Sequence, residues 1–194
     1  MAPGATLFQH SWQDATLPPM PASTIQNKAE LHQTLVNMAA DIAAARPAGV
    51  KFALVGIRRR GETLAQRLAP LLQQLGAGPH MQGAVDITLY RDDLTTIGPD
   101  AVVHGTEIDF DITDTWLVLV DDVLYTGRSV RAALDALIDL GRPKAIRLAV
   151  LVDRGWRELP IRPDFVGTTV ETTEQQIIKV KLEEVDGSDG IDLV

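Results

Sequence analysis

Apolar positions recur along this chain with two alternating periods, and the alternation predicts strands and helices in turn. Asn27, with Glu30 three residues on, predicts a helix start. Leu31, Leu35, Met38 and Ile42 then fall on one stripe, which ends near Pro47 and Gly49. Residues 51–56 predict a first strand, and residues 62–75 a helix with Leu64, Leu68, Leu71 and Leu75 inward and Pro70 as the place for a kink. Residues 84–90 predict a second strand. Residues 94–114, with Gly98, Pro99 and Gly105, form a connection longer than a compact domain leaves idle, which predicts an active-site lid. The four apolar residues 117–120 read as a buried strand. Arg128–Leu140 reads as a helix with Val130, Ala133, Leu134, Leu137 and Ile138 on one face, closed by Gly141 and Pro143. Residues 146–152 predict a further strand, and residues 165–170 and 177–182 two short ones.

Strands alternating with helices predict an α/β fold with a mostly parallel central sheet, right-handed crossovers and helices on both faces. Ligands of such sheets lie beyond the carboxyl ends of the strands. Four segments fall at such ends: residues 58–61, 90–93, 121–129 and 153–157. Their convergence predicts one shared pocket. Residues 1–24, rich in Ala, Pro, Thr and Gln without a sustained period, predict a flexible tail; residues 25–186 form a single domain, and the acidic, Gly-containing residues 187–194 predict a frayed end.

Composition narrows the chemistry. The length of 194 residues suits one domain, and 45% hydrophobic residues suffice for a core. No apolar stretch is long enough to span a bilayer, and the Pro-containing start has no basic region ahead of an apolar run, so the expected location is the cytoplasm. With no cysteine, disulfides and thiolate metal sites are excluded, and His10, His32, His80 and His104 have no ligand spacing. The formal net charge of −8 disfavours a partner held mainly through phosphates, without excluding a local basic patch.

The strongest chemical signal is the run Leu117-Val118-Leu119-Val120-Asp121-Asp122-Val123-Leu124-Tyr125-Thr126-Gly127-Arg128-Ser129-Val130-Arg131. A strand leads into paired carboxylates, a small hydroxyl-rich loop and a helix. Backbone N–H groups at a helix start attract an anion, and Thr126 and Ser129 add hydroxyl donors. Asp121 and Asp122 are proton-free acceptors suited to two ribose hydroxyls. The combination predicts a cradle for a ribose 5-phosphate, and neither the nucleoside triphosphate loop nor the dinucleotide glycine pattern is present.

This run resembles the phosphoribosyl pyrophosphate signature of type I phosphoribosyltransferases. Three further runs, 55–61, 86–93 and 151–162, occur in order and spacing similar to the family of pyrimidine operon attenuation regulators that double as uracil phosphoribosyltransferases. The resemblance covers about residues 28–186. It implies the type I phosphoribosyltransferase fold, with a small hood at about residues 153–182 that holds the base. It also implies the reaction of uracil with phosphoribosyl pyrophosphate to give UMP and pyrophosphate, with Mg²⁺. Residues 121–129, namely Asp121, Asp122, Val123, Leu124, Tyr125, Thr126, Gly127, Arg128 and Ser129, would hold the phosphoribosyl group. Arg59, Arg60 and Gly61 would meet the pyrophosphate, joined by Arg91 if the lid closes. For the metal, Asp121 and Asp122 are the first anchors, directly or through water, and Asp92 and Asp93 the second, with surface acids as the other reading of that second pair. Arg154 and Ile178 fall at base-holding positions, although Arg154 has Glu158 as an alternative partner and Ile178 suits a core strand. The family's usual Lys-Thr-Arg-Gly run is here Arg58-Arg59-Arg60-Gly61, so one hydroxyl contact is absent.

Some members of that family bind leader RNA in the presence of UMP or UTP and so act on transcription. Their RNA-gripping positions fall here on Val36, Asn37 and Ala40, on Trp156 in place of a His, and on Thr168 in place of a Lys; only Arg157 remains. Catalysis is thus the leading reading, an RNA-binding attenuator the alternative, and a subunit without turnover a third. The resemblance favours a homodimer or a higher homo-oligomer.

Overall fold

The computed structural model describes residues 23–79, 81–90, 92 and 105–194. In chain order the elements are β1 (Ser23–Gln26), α1 (Lys28–Ala45), β2 (Phe52–Ile57), α2 (Arg60–Gln74), β3 (Met81–Val85), a 3₁₀ turn (Thr88–Tyr90), β4 (Trp116–Leu124), α3 (Arg128–Leu140), β5 (Ala145–Asp153), β6 (Phe165–Thr169), β7 (Ile178–Lys181), α4 (Glu183–Asp186) and β8 (Gly190–Leu193). Five strands in the order β3-β2-β4-β5-β6 pair in parallel, and β1-β8-β7 form a small antiparallel sheet. No helix among the described residues is long and apolar enough to cross a membrane.

The central strands are apolar on both faces because both are covered. Phe52, Leu54, Val118 and Val120 face α1 and α2, meeting Leu35, Met38, Ile42, Leu64, Leu68 and Leu72. Ala53, Val55, Leu117 and Leu119, one position out of phase, face α3 through Val130, Ala133 and Leu137. Trp116 fills the start of the sheet between Phe52 and Phe165, with ring centroids 5.0 and 6.5 Å away. At the start of α1, Asn27 Oδ1 accepts from the N–H groups of Ala29 and Glu30, and Glu30 Oε2 accepts from Asn27 N–H at 2.8 Å. That is the reciprocal cap read from the sequence.

Several elements differ from expectation. Leu75 and Ile138 do not turn inward; they are 54% and 64% exposed, and Leu72 takes the buried place on α2, which runs on through Pro70. The second strand ends at Val85 because Asp86 Oδ1 accepts from both the N–H and the hydroxyl of Thr88, which winds the chain into the 3₁₀ turn. Residues 165–169 are not a hood strand but the fifth parallel strand of the main sheet. The small sheet is instead built from both ends of the described chain. Gly190–Leu193, expected to fray, is its central strand, with Ser23–Gln26 on one side and Ile178–Lys181 on the other. Of the expected lid, residues 94–104 lie outside the described residues; farther on, Glu107 bridges to Ala84 and Ile112 is buried.

Candidate active site

The site is set by how closely α2 approaches the sheet. A Cβ on Gly61 would lie 2.3 Å from the Val120 carbonyl oxygen, and one on Gly56 2.3 Å from Glu62 Cα, so only glycine fits at either point. Gly61, expected to admit pyrophosphate, turns its bare side to β4. The approach brings Arg60, the first residue of α2, beside the carboxylates of β4, where its charge acts on Asp122.

Asp121 and Asp122 lie within β4 rather than after it, because β4 stays paired with β5 as far as Leu124↔Asp153. Burial, reinforced by the charge of Asp122, pushes the Asp121 carboxyl well above its ordinary range. Burial also raises Asp122, against the Val123 N–H and the Arg60 guanidinium, which favour its charged form. Asp121 Oδ1 accepts from Asp122 N–H at 3.0 Å and Asp122 Oδ1 from Val123 N–H at 2.9 Å, which fixes both side chains. In their ionised form the two adjacent carboxylates are acceptors for hydroxyl groups and partners for a cation.

Beyond β4 the chain turns through residues 125–127 into α3. Gly127, at φ 93°, is the N-cap and brings no side chain to the first turn, so the starting N–H groups of α3 have no side-chain cap. Arg128 N–H has a long contact of 3.4 Å to Thr126 Oγ1. The carbonyls of this loop are tied back instead. Thr126 O accepts from Glu158 and Leu159 N–H groups, and Arg157 Nη1 donates to Leu124 O at 3.3 Å, Tyr125 O at 2.8 Å and Gly155 O at 2.8 Å. Its Nε donates to Ile161 O at 3.2 Å and its Nη2 pairs with Asp153 at 2.6 Å. One guanidinium thus ties the carbonyl side of the loop to the β5–β6 connection. Nothing in the sequence pattern marked this use of Arg157.

Arg154 is buried, 6% exposed, with its guanidinium carbon 4.1 Å from the Tyr125 ring centroid, Nε donating to Thr172 Oγ1 and Nη2 to Thr173 O. Glu158 pairs not with Arg154 but with Arg128, at 2.6 Å. Arg128 also pairs with Asp92, which puts Asp92 at the start of α3 beside a cation. Arg91 and Asp93 lie outside the described residues. Arg58 is engaged by Glu107 at 2.7 Å and Glu62 at 3.5 Å, across a cis peptide to Arg59, and Arg59 is exposed.

A cleft of about 490 Å³ joins the expected parts: Arg60, Asp122 and Ile178 line it together with Lys179, Lys181 and Asp186. Among the described residues β7 is an edge strand of the small sheet. The two lysines and Asp186 were not singled out in the sequence. Their signal was the alternation of Lys179 and Lys181 on a short strand, and its meaning depended on where that strand docked.

Among known proteins, the sequence model described as the phosphoribosyl transferase domain matches residues 23–185. The chain is 54% identical over 169 residues to the bifunctional protein PyrR of Thermus thermophilus, covering 87% of this chain and 93% of that one. This chain belongs to the PyrR family of phosphoribosyltransferases. The Deinococcus radiodurans PyrR is 49% identical over 173 residues (89% of this chain, 94% of that one), and the Roseiflexus PyrR 55% over 167 residues (85% and 91%). A hypoxanthine-guanine phosphoribosyltransferase of Bacillus anthracis superposes with a TM-score of 0.67 at 16% identity, covering 88% of this chain and 96% of that one. A Trypanosoma cruzi hypoxanthine phosphoribosyltransferase gives 0.67 at 17% identity, with 88% and 94% covered. The fold is therefore that of the type I phosphoribosyltransferases.

Proposed function

We propose that this PyrR-family chain transfers the phosphoribosyl group of phosphoribosyl pyrophosphate to uracil, giving UMP and pyrophosphate. One observation carries the reading: an uncapped helix start, a carboxylate pair of which Asp121 is buried and Asp122 lines a cleft, and an arginine in that cleft all lie at the carboxyl edge of one parallel sheet. In this reaction the bond from the anomeric carbon to pyrophosphate breaks as the uracil ring nitrogen bonds to that carbon. Positive charge grows on the ribose and negative charge on the departing group.

Each part of the site suits one of those demands. The first-turn N–H groups of α3, with the hydroxyls of Thr126 and Ser129, receive the 5-phosphate. Asp121 and Asp122 accept from the ribose hydroxyls, and their negative charge favours the cationic ring that develops. Arg60, with Arg59 beside it, faces the leaving pyrophosphate. The base lies against Ile178 and the edge of β7, where backbone N–H and C=O groups pair with the polar edge of a pyrimidine. The donor chemistry also fits Mg²⁺, which binds through one or two carboxylates plus substrate oxygens and retained waters, and Asp121 with Asp122 is the pair that would hold it. Bound there, the metal would neutralise charge on the diphosphate.

The relatives' name, bifunctional protein PyrR, supports a second activity in regulation. In this chain the RNA reading has less to stand on. Arg157 is spent on internal carbonyls and Asp153, and Asn37 and Ala40 are exposed on α1 without a charge. The expected setting is a cytoplasmic homo-oligomer. The test is pyrophosphate release with Mg²⁺ and uracil, orotate, hypoxanthine or adenine in parallel. Uracil should give turnover, and Asp121→Asn combined with Asp122→Asn should abolish it. Full activity in that double variant, or preference for another base, would overturn the assignment.

A further inference from the structure

Arg60 forks onto Asp186, the last residue of α4, with Nη2 2.7 Å from Oδ1 and Nε 3.3 Å from Oδ2. Both residues line the cleft that holds Asp122. The pair is reachable from water, with side chains 38% and 21% exposed. A guanidinium offers this two-pronged face to one planar anion at a time, and a phosphoryl group presents two oxygens at nearly the same spacing as a carboxylate. Asp186 and a diphosphate cannot both take it. We propose that Asp186 is a positioning residue that holds Arg60 over the cleft by its Nε–Nη2 face and yields that face to the diphosphate of phosphoribosyl pyrophosphate, so that the two compete for the same pair of donors. This inference rests on the pyrophosphate role given to Arg60 above.

The surrounding contacts allow the exchange without undocking α4. Glu183 pairs with Lys28, and Glu184 and Asp189 pair with Arg67, the latter at 2.6 Å. Leu182 is fully buried in the core shared by α1, α2 and the small sheet. Asp186 Oδ2 also accepts from Leu182 N–H at 3.0 Å, a bond that the amide oxygen of an asparagine preserves. Replacing the carboxylate by an amide thus removes the competing charge and leaves the local backbone bond. The competition also gives Asp186 a part in turnover: after the bond to the anomeric carbon breaks, its carboxylate returns to Arg60 and speeds departure of pyrophosphate.

The test uses the full chain and two readouts, calorimetric binding of inorganic pyrophosphate with Mg²⁺ and the KM for phosphoribosyl pyrophosphate. Asp186→Asn should tighten pyrophosphate binding and lower that KM by roughly two- to fivefold, the worth of one partly exposed ion pair. The KM for uracil should not change. Asp186→Ser serves as a second variant with the same expected direction, and Glu183→Gln, which breaks the Lys28 pair away from Arg60, should leave both readouts unchanged. Arg60→Gln should weaken pyrophosphate binding, and adding Asp186→Asn to it should have no further effect. If Arg60→Gln binds pyrophosphate like the wild type, the role of Arg60 is wrong and the competition falls with it. If Arg60→Gln weakens binding while both Asp186 variants bind equally or less tightly than the wild type, the role of Arg60 stands and the competition is refuted.

Discussion

Replacing Arg157 by alanine separates a residue that shapes the phosphate loop from one that grips RNA. The side chain makes two 2.8 Å bonds to the carbonyls of Tyr125 and Gly155, two longer ones to Leu124 and Ile161, and an ion pair with Asp153. Hydrogen bonds from a charged donor contribute about 1.5 kcal/mol each at the low end. Asp153 and Arg157 are about one-fifth exposed, so their pair adds about 1 kcal/mol or less. Since the two short bonds share one nitrogen, the sum is discounted to about 3 kcal/mol. For a chain of this size that lowers Tm by roughly 6–12 °C. The loop carbonyls, no longer held, let the N–H groups of residues 126–129 drift, and the KM for phosphoribosyl pyrophosphate should rise at least about tenfold. Arg157→Lys should recover little, because an ammonium cannot reach carbonyls on three sides. The assay is thermal unfolding alongside steady-state kinetics. A variant that melts within a degree of the wild type, turns over normally and fails only to shift leader RNA at low salt would refute the bracing role and restore the RNA reading.

Other outcomes follow from the same geometry. Gly61→Ala puts a methyl carbon 2.3 Å from the Val120 carbonyl oxygen, backbone against backbone; it should cost about 3 kcal/mol in urea unfolding and reduce turnover by pushing Arg60 away from Asp122. Asp121→Asn should destroy activity yet stabilise the fold near neutral pH. The carboxyl of Asp121 ionises near 3.8 in the unfolded chain and well above it in the folded one, so the stability it contributes at low pH is lost as pH rises through the folded-state value. The advantage of the asparagine should therefore shrink as the pH falls from the folded-state value towards 3.8 and be largely gone below it, and a difference in Tm that stays constant with pH would refute the buried-carboxylate account.

Local chemistry made much of this molecule readable from its sequence. The bounds of α3 at Arg128–Leu140 and the cap at Asn27 are encoded within a few residues, by helical spacing and by a side chain that reaches its own backbone. The turn of residues 125–127 between β4 and α3 was readable for the same reason, since it is set by neighbours in sequence. What escaped depended on distant pairing. Residues 165–169 have the pattern of any short strand, and only β5 decides that they extend the main sheet. Gly190–Leu193 carries Asp and Gly neighbours typical of a frayed end, yet it is held on both sides by strands from opposite ends of the described chain. The ties of Arg157, Arg154 and Asp186 belong to the same class: their side chains can satisfy many roles, and the folded neighbourhood selects one.

The most direct measurement is a crystal structure with bound UMP. The account predicts the 5-phosphate against the N–H groups of residues 126–129 and the Thr126 and Ser129 hydroxyls, the ribose hydroxyls on Asp121 and Asp122, and the base between Ile178 and the edge of β7. UMP bound away from the start of α3, or with its ribose turned from the two aspartates, would contradict it.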